Sequence, residues 1–199
     1  MSTQGSLGQD PELIAVAIQE ANNTCSGADP ERINEEELRE YYHLKGTVGG
    51  IKLKMMLGRQ YLLQRLADNP PHPRMTIAFQ RMRGVRIGEH VFIGPHVHID
   101  FLYPHLVTID DFVSIGMNSM IFVHSNPTCS MWLKKRLYPR SVAPVHIKKG
   151  AWIPPGTMIL PGVTVGEHSV IGAGSTVIRN VEPFTMVAGQ PARFVKRLV

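Results

Sequence analysis

Between residues 85 and 180 an aliphatic side chain recurs every sixth position, and few folds accommodate so short a period. The residues are Ile87, Ile93 and Ile99, then Ile109, Ile115 and Ile121, then Ile147, Ile153, Ile159, Val165, Ile171 and Val177. Two positions ahead of each stands a small or β-branched residue: Val85, Val91, Val97, Val107, Val113, Ser119, Val145, Ala151, Thr157, Val163, Ser169 and Ser175. Residues two apart on an extended backbone share a face, so each unit sends one small and one larger side chain inward. Gly88, Gly94, Gly116, Gly166 and Gly172 follow the aliphatic position, as expected where a chain turns without a Cβ in the way. Six residues then make one strand and one corner, the period of a parallel β-helix whose stacked coils bury a continuous core.

The series breaks twice, into runs of three, three and six units. If three hexapeptides complete a triangular coil, both insertions leave the prism at coil boundaries and the core continues past them. The first insertion contains Phe101-Leu102-Tyr103-Pro104-His105. The second spans 125–144, carries Trp132 beside the basic run Lys134-Lys135-Arg136, and is longer than the usual connection in a compact domain. Such a loop reads either as functional or as a solvated arm with one packed Trp.

Ahead of the repeat the periodicity is helical. Asp10-Pro11 and Asp29-Pro30 each pair an N-cap with a first-turn proline. A third amphipathic stretch starts at Gly49-Gly50 and stops at Asn69-Pro70-Pro71-His72-Pro73. The expected organisation is a helical region over 1–73, which caps the prism or covers an edge of it, and a β-helix over 74–199. No apolar run approaches a membrane span and no secretory signal opens the chain, so the expectation is a cytoplasmic protein away from membranes. Cys25 and Cys129 have no metal-ligand or disulfide spacing. A net charge of +5, scattered rather than striped, argues against nucleic acid and for a small polyanionic ligand.

From Val85 to Leu198 the chain resembles the hexapeptide-repeat acyltransferases, and among them the galactoside, maltose and xenobiotic O-acetyltransferases. The resemblance rests on Trp152-Ile153, on Pro161-Gly162-Val163-Thr164-Val165-Gly166, on Val170-Ile171-Gly172-Ala173-Gly174-Ser175, and on Val187-Ala188-Gly189-Gln190-Pro191-Ala192-Arg193. It implies a left-handed β-helix, a homotrimer with sites between neighbouring prisms, acetyl-coenzyme A as donor and no metal. It also matches His124, in Phe122-Val123-His124-Ser125-Asn126-Pro127, to the catalytic histidine, although the family has Gly before that residue and Pro directly after. Repeat phase does not single out His124, because His90, His96 and His168 share its position; the departing loop does.

An alcohol attacks a thioester poorly while it keeps its proton, and imidazole titrates in the range a general base needs. Asp100 is expected to accept a hydrogen bond from the acceptor, or equally to serve as a turn-forming residue. Tyr103 and Trp132 are candidate walls for a sugar ring or an apolar acceptor. By position in the resemblance, Pro155, Ala173 and Ile178 would line the pantetheine arm, the first and last in place of the family's common hydroxyl residues. Arg179, Arg193 and Lys196 would meet the nucleotide's phosphates, which guanidinium groups hold through paired donors. The resulting expectation is acetyl transfer to a hydroxyl of a saccharide or small metabolite. Transfer to an amino sugar, a metal-dependent hydratase resembling γ-type carbonic anhydrases, and a catalytically silent scaffold stand as alternatives.

Overall fold

The computed structural model describes residues 11–25, 29–70 and 72–199. The chain forms two compact units, one running through Lys45 and joined by Asn126–Arg140, the other comprising Gly46–Ser125 and Ser141–Val199.

The larger unit holds the repeat as three parallel faces. The first stacks Arg86–Ile87, Val107–Ile109, Val145–Ile147 and Thr164–Val165. The second stacks Phe92–Ile93, Ser114–Ile115, Trp152–Ile153, Val170–Ile171 and Thr185–Gly189, with Ala192–Arg197 antiparallel at its end. The third stacks His98–Ile99, Met120–Ile121, Met158–Ile159 and Thr176–Val177. Where the series is unbroken, strand partners lie three hexapeptides apart, as Trp152 with Val170 and Ile159 with Val177. Both insertions leave between the third face and the first, the coil boundary that runs of three imply. The fold is a left-handed parallel β-helix preceded by helices.

Every small partner of the series is buried, and so is every aliphatic residue except Ile87, half-buried at the open end. Like stacks on like: Ile99, Ile121, Ile159 and Val177 form one ladder along the third face. Each such fully buried side chain contributes about 1.5–3 kcal/mol.

The five phased glycines serve another end than turning. None has positive φ. A Cβ on Gly116 would lie 2.4 Å from the Pro155 nitrogen, and one on Gly94 would lie 2.7 Å from that of Met117. They admit the next coil. The turning happens two residues later, where His90, His96, Phe112, Asn118 and His168 take φ of 51–59° and Gly150, Gly156, Gly162 and Gly174 take 66–81°.

Within each face a coil's N–H groups donate to the following coil, as His98 N does to Ser119 O and Asp100 N to Ile121 O. The first coil's carbonyls therefore point out of the open end and need donors from elsewhere. Two helices supply them: α3 (Gly46–Asp68) and α4 (Pro73–Arg83) when counted after α1 (Pro11–Cys25) and α2 (Pro30–Tyr41). Gln64 donates to Val97 O at 3.2 Å, Arg83 to Ile99 O at 3.0 Å, and Arg81 to Ile87 O and Gly88 O at 2.9 and 2.7 Å. Helix α3 begins at Gly46 and runs through the paired glycines, of which Gly49 is buried. Helix α4 lies beyond the proline cluster from which the sequence reading starts the β-helix region; Pro73 opens its first turn and Gly84, at φ 106°, ends it.

In the smaller unit Asp29 caps α2 by accepting from the N–H groups of Glu31 and Arg32 at 3.1 and 3.2 Å, as its place before Pro30 predicts. The expected cap at Asp10 lies outside the described residues. The inserted loop is folded: Ser130 caps α5 (Met131–Arg136), and buried Lys134 reaches Glu37 and Asn34 Oδ1, each at 2.6 Å. Arg140 meets the same Glu37 carboxylate at 2.7 Å. Among the described residues no helix is long and apolar enough to cross a membrane.

Candidate active site

Where the third face gives way to the long insertion, the chain pairs His124–Ser125 antiparallel with Ser141–Val142 and so closes the root of the loop. Val123 is fully buried, and its N–H donates to Asp100 Oδ2 at 3.0 Å. That hydrogen bond delivers the next residue, His124, to the same carboxylate, with Nδ1 and Oδ2 2.6 Å apart. Asp100 comes from the coil above, one residue past Ile99, which stacks on Ile121. Two interruptions of the series thus meet on one prism edge.

Asp100 is fully buried and divides its oxygens between two tasks. Oδ1 accepts from the N–H groups of Leu102 and Tyr103, both at 3.0 Å, and shapes the first insertion's turn. Oδ2 holds His124 and Val123. Burial pushes the carboxyl upward, but the hydrogen bonds from His124, Val123 and Tyr103 outweigh it and hold the group below the ordinary carboxylate range. An ionised carboxylate only accepts, so Nδ1 of His124 carries a proton, and the tautomer this selects has its lone pair on Nε2. His124 is about a fifth exposed, and its Nε2 has no hydrogen-bond partner among the described residues. Tyr103, also fully buried, packs edge-on to the ring with centroids 5.4 Å apart.

Asp100 and Tyr103 are fully buried against the His124 ring, and Asp100 forms the turn that was the alternative reading of its place. Trp132 lies on α5 of the smaller unit, with a buried indole Nε1 that lacks a partner among the described residues.

Three residues expected at the donor come together. Ile178, Arg179 and Arg193 line a groove of about 230 Å³ at the last coil, with Asn180, Thr185 and Phe194. Lys196 stands exposed on the strand of Arg193. Ile178 follows the third face, as His124 does one full run earlier, so groove and histidine share a prism edge. Pro155 and Ala173 occupy a different edge, between the second and third faces, where Gly174 N donates to Pro155 O at 3.0 Å.

Sequence reasoning missed Arg83, which donates to Asp100 O at 2.8 Å. An arginine ending a helix that was itself unforeseen carries no pattern to betray it. Among the described residues no three of His, Cys, Asp or Glu gather to hold a metal ion; His98 lies against Phe122 and His105 against Tyr103.

Residues 144–179 match the family model described as bacterial transferase hexapeptide (six repeats). A Schizosaccharomyces pombe protein named as an acetyltransferase is 31% identical over 132 residues, which cover 66% of this chain and 61% of that one. The galactoside O-acetyltransferase of Escherichia coli is 33% identical over 116 residues, 56% of each chain. This chain therefore spans less than two thirds of either relative. The crystal structure of a hexapeptide-repeat acetyltransferase from Vibrio cholerae superposes with a TM-score of 0.63 at 25% identity, over 74% of this chain and 93% of that one. The same Vibrio protein in complex with acetyl-coenzyme A superposes with a TM-score of 0.60 at 23% identity, over 74% and 90%.

Proposed function

We propose that this chain, which carries the bacterial transferase hexapeptide repeat, transfers acetyl from acetyl-coenzyme A to a hydroxyl of a saccharide or small metabolite. The observation that carries the reading is the 2.6 Å Asp100–His124 pair on the prism edge, whose Nε2 has no hydrogen-bond partner among the described residues. The names of the relatives and the ligand of the Vibrio structure support the donor and the reaction type.

In this mechanism Nε2 of His124 takes the acceptor's hydroxyl proton as the oxygen attacks the thioester carbonyl. The imidazolium that forms is stabilised by the Asp100 carboxylate on Nδ1. The tetrahedral intermediate then breaks its C–S bond, and His124 returns the proton to the departing thiolate, leaving an acetyl ester and free coenzyme A. Transfer is direct, in a ternary complex.

The groove at Ile178, Arg179 and Arg193 suits the anionic end of the donor, with Lys196 on its flank. Pro155 and Ala173 lie on another edge of the same prism and line the donor's arm when a neighbouring prism presents that edge. This is the physical reason to expect a homotrimer.

The test is release of free thiol from acetyl-coenzyme A across a panel of saccharide and small-alcohol acceptors, with His124→Ala as the comparison. General-base assistance accounts for about 10²–10⁴ of rate, so that variant should lose this much while remaining folded. Near-normal turnover by folded His124→Ala would overturn the assignment.

A further inference from the structure

The cap over the open end of the β-helix contains a buried cation that carbonyl capping alone does not explain. Arg83 is 2% exposed, and its guanidinium makes five hydrogen bonds. Nε and Nη1 go to the side-chain oxygens of Gln60, Gln64 and Gln80, all buried on α3 and α4. Nη2 spans two successive carbonyls of the prism, Ile99 O at 3.0 Å and Asp100 O at 2.8 Å. Nearby, a neutral amide suffices for the same duty, since Gln64 serves Val97 O. Burying a charge costs far more than burying an amide, so a cation here calls for an anion to balance it. The Asp100 and Asp68 carboxylates are the anions whose fields oppose the effect of burial, which lowers the guanidinium to about 10 and leaves it protonated at neutral pH.

Asp100 is consequently pinned at three points. Its N–H donates to Ile121 O at 2.9 Å, its carbonyl accepts from Arg83, and its carboxylate holds His124. We infer that Arg83 is the positioning residue of the Asp100–His124 pair, fixing the Asp100 backbone through its carbonyl so that the carboxylate stays on Nδ1 of His124 and the ring's lone pair stays on Nε2. Arg83 touches neither reactant and acts through Asp100. The tautomer is independent of the acetyl-transfer reading, and only its effect on rate rests on that reading.

The experiment is nitrogen-15 NMR of the His124 ring across pH in the full-length protein, for wild type, Arg83→Met, Arg83→Lys and Arg81→Met, beside thiol-release kinetics. The charged and titratable groups facing the pair are Arg83 and Asp68 from the helices, His98 from the preceding strand and His105 from the first insertion's turn. Their titrations are therefore followed together with that of His124. Wild type should show the Nδ1–H tautomer. Arg83→Met should raise the Nε2–H fraction, shift the pH profile and lower kcat roughly 10–100-fold, as misplacement of a catalytic group does, with the donor KM unchanged. Arg83→Lys, which keeps the charge and loses the fork, should fall between. Arg81→Met removes a cap cation that serves Ile87 and Gly88 instead; it should lower stability and leave the ring unaltered.

A wild-type tautomer and pH profile in folded Arg83→Met overturns the inference, as does the same ring change in Arg81→Met. If Arg83→Met does not fold, a wild-type ring and wild-type kcat in Arg83→Lys have that effect. If no protein transfers acetyl, the ring spectra still decide, and the functional reading fails by itself.

Discussion

Four histidines share one repeat phase, and what separates them is backbone. His90, His96 and His168 hold left-handed φ at exposed corners, and two of them stack on phenylalanines of the next coil, His90 on Phe112 at 5.0 Å and His168 on Phe184 at 5.3 Å. His124 is absent from the left-handed set because its chain does not close a corner; it continues extended to pair with Val142. That path carries the imidazole to Asp100. Asp100→Asn tests the partnership. The amide would set an NH₂ against an N–H donor somewhere among Leu102, Tyr103, Val123 and His124, and a buried donor left unpaired costs about 1–3 kcal/mol. Denaturation should register that loss. Turnover should fall by about 10² or more, because the ring no longer has an anion to fix its tautomer. Wild-type kcat in folded Asp100→Asn would detach the carboxylate from the chemistry.

The coil is built on two kinds of glycine with different physics. Gly116 faces the Pro155 backbone at a distance no Cβ tolerates, whereas Gly174 has φ 66° and open space around it. Gly116→Ala should therefore cost about 1–3 kcal/mol or more through overpacking that only a backbone shift relieves. Gly174→Ala should cost about 1–2 kcal/mol through backbone strain alone, with no displacement of neighbours. Urea midpoints of the two variants check the order; equal losses would mean that coil spacing is softer than the stacking distances indicate. At the level of the inserted loop, length and composition pointed to importance, but its fold depends on charges far away in the chain. Lys134 and Arg140 converge on Glu37 of α2, and Asn34 takes Lys134 while donating to Thr128 O at 2.8 Å. No local pattern in 125–144 announces partners about a hundred residues earlier.

The larger unit concentrates its perturbed titrations near the cap, and the sign of each fixes how stability follows pH. Burial, and then the Arg83 charge, pull His98 below 6.5; burial and Arg86 do the same to His105. The unfolded chain binds these protons more readily, so stability should be full above pH 6.5 and decline as pH falls below it towards the lower folded values. Asp100 works lower down: its folded carboxyl lies beneath 3.8, so its contribution is present above that value and is lost as pH falls through the folded one. Thermal midpoints at pH 7.5 and 5.5 test the histidine part, and His98→Asn should shrink the difference. An unchanged difference would remove His98 from the account. At the level of assembly, the two sets of residues proposed for the donor lie on different edges of one prism. A trimer by light scattering, inactive when dissociated, is expected; a fully active monomer would contradict a site shared between prisms.

The six-residue period by itself determined the β-helix, its three faces, its coil boundaries and its core, because side-chain alternation and burial are local and repetitive enough to be counted. It also located the broken edge on which His124 lies. It misread the phased glycines, whose purpose depends on the coil above rather than on the turn beside them. Only the tertiary structure decided that Asp100 and Tyr103 are buried against the His124 ring, that α4 closes the open end, and that Arg83 grips Asp100 from inside the cap. Those contacts join residues 17 to 24 positions apart through stacking and burial, and a hydrogen bond between such residues leaves no period in the chain.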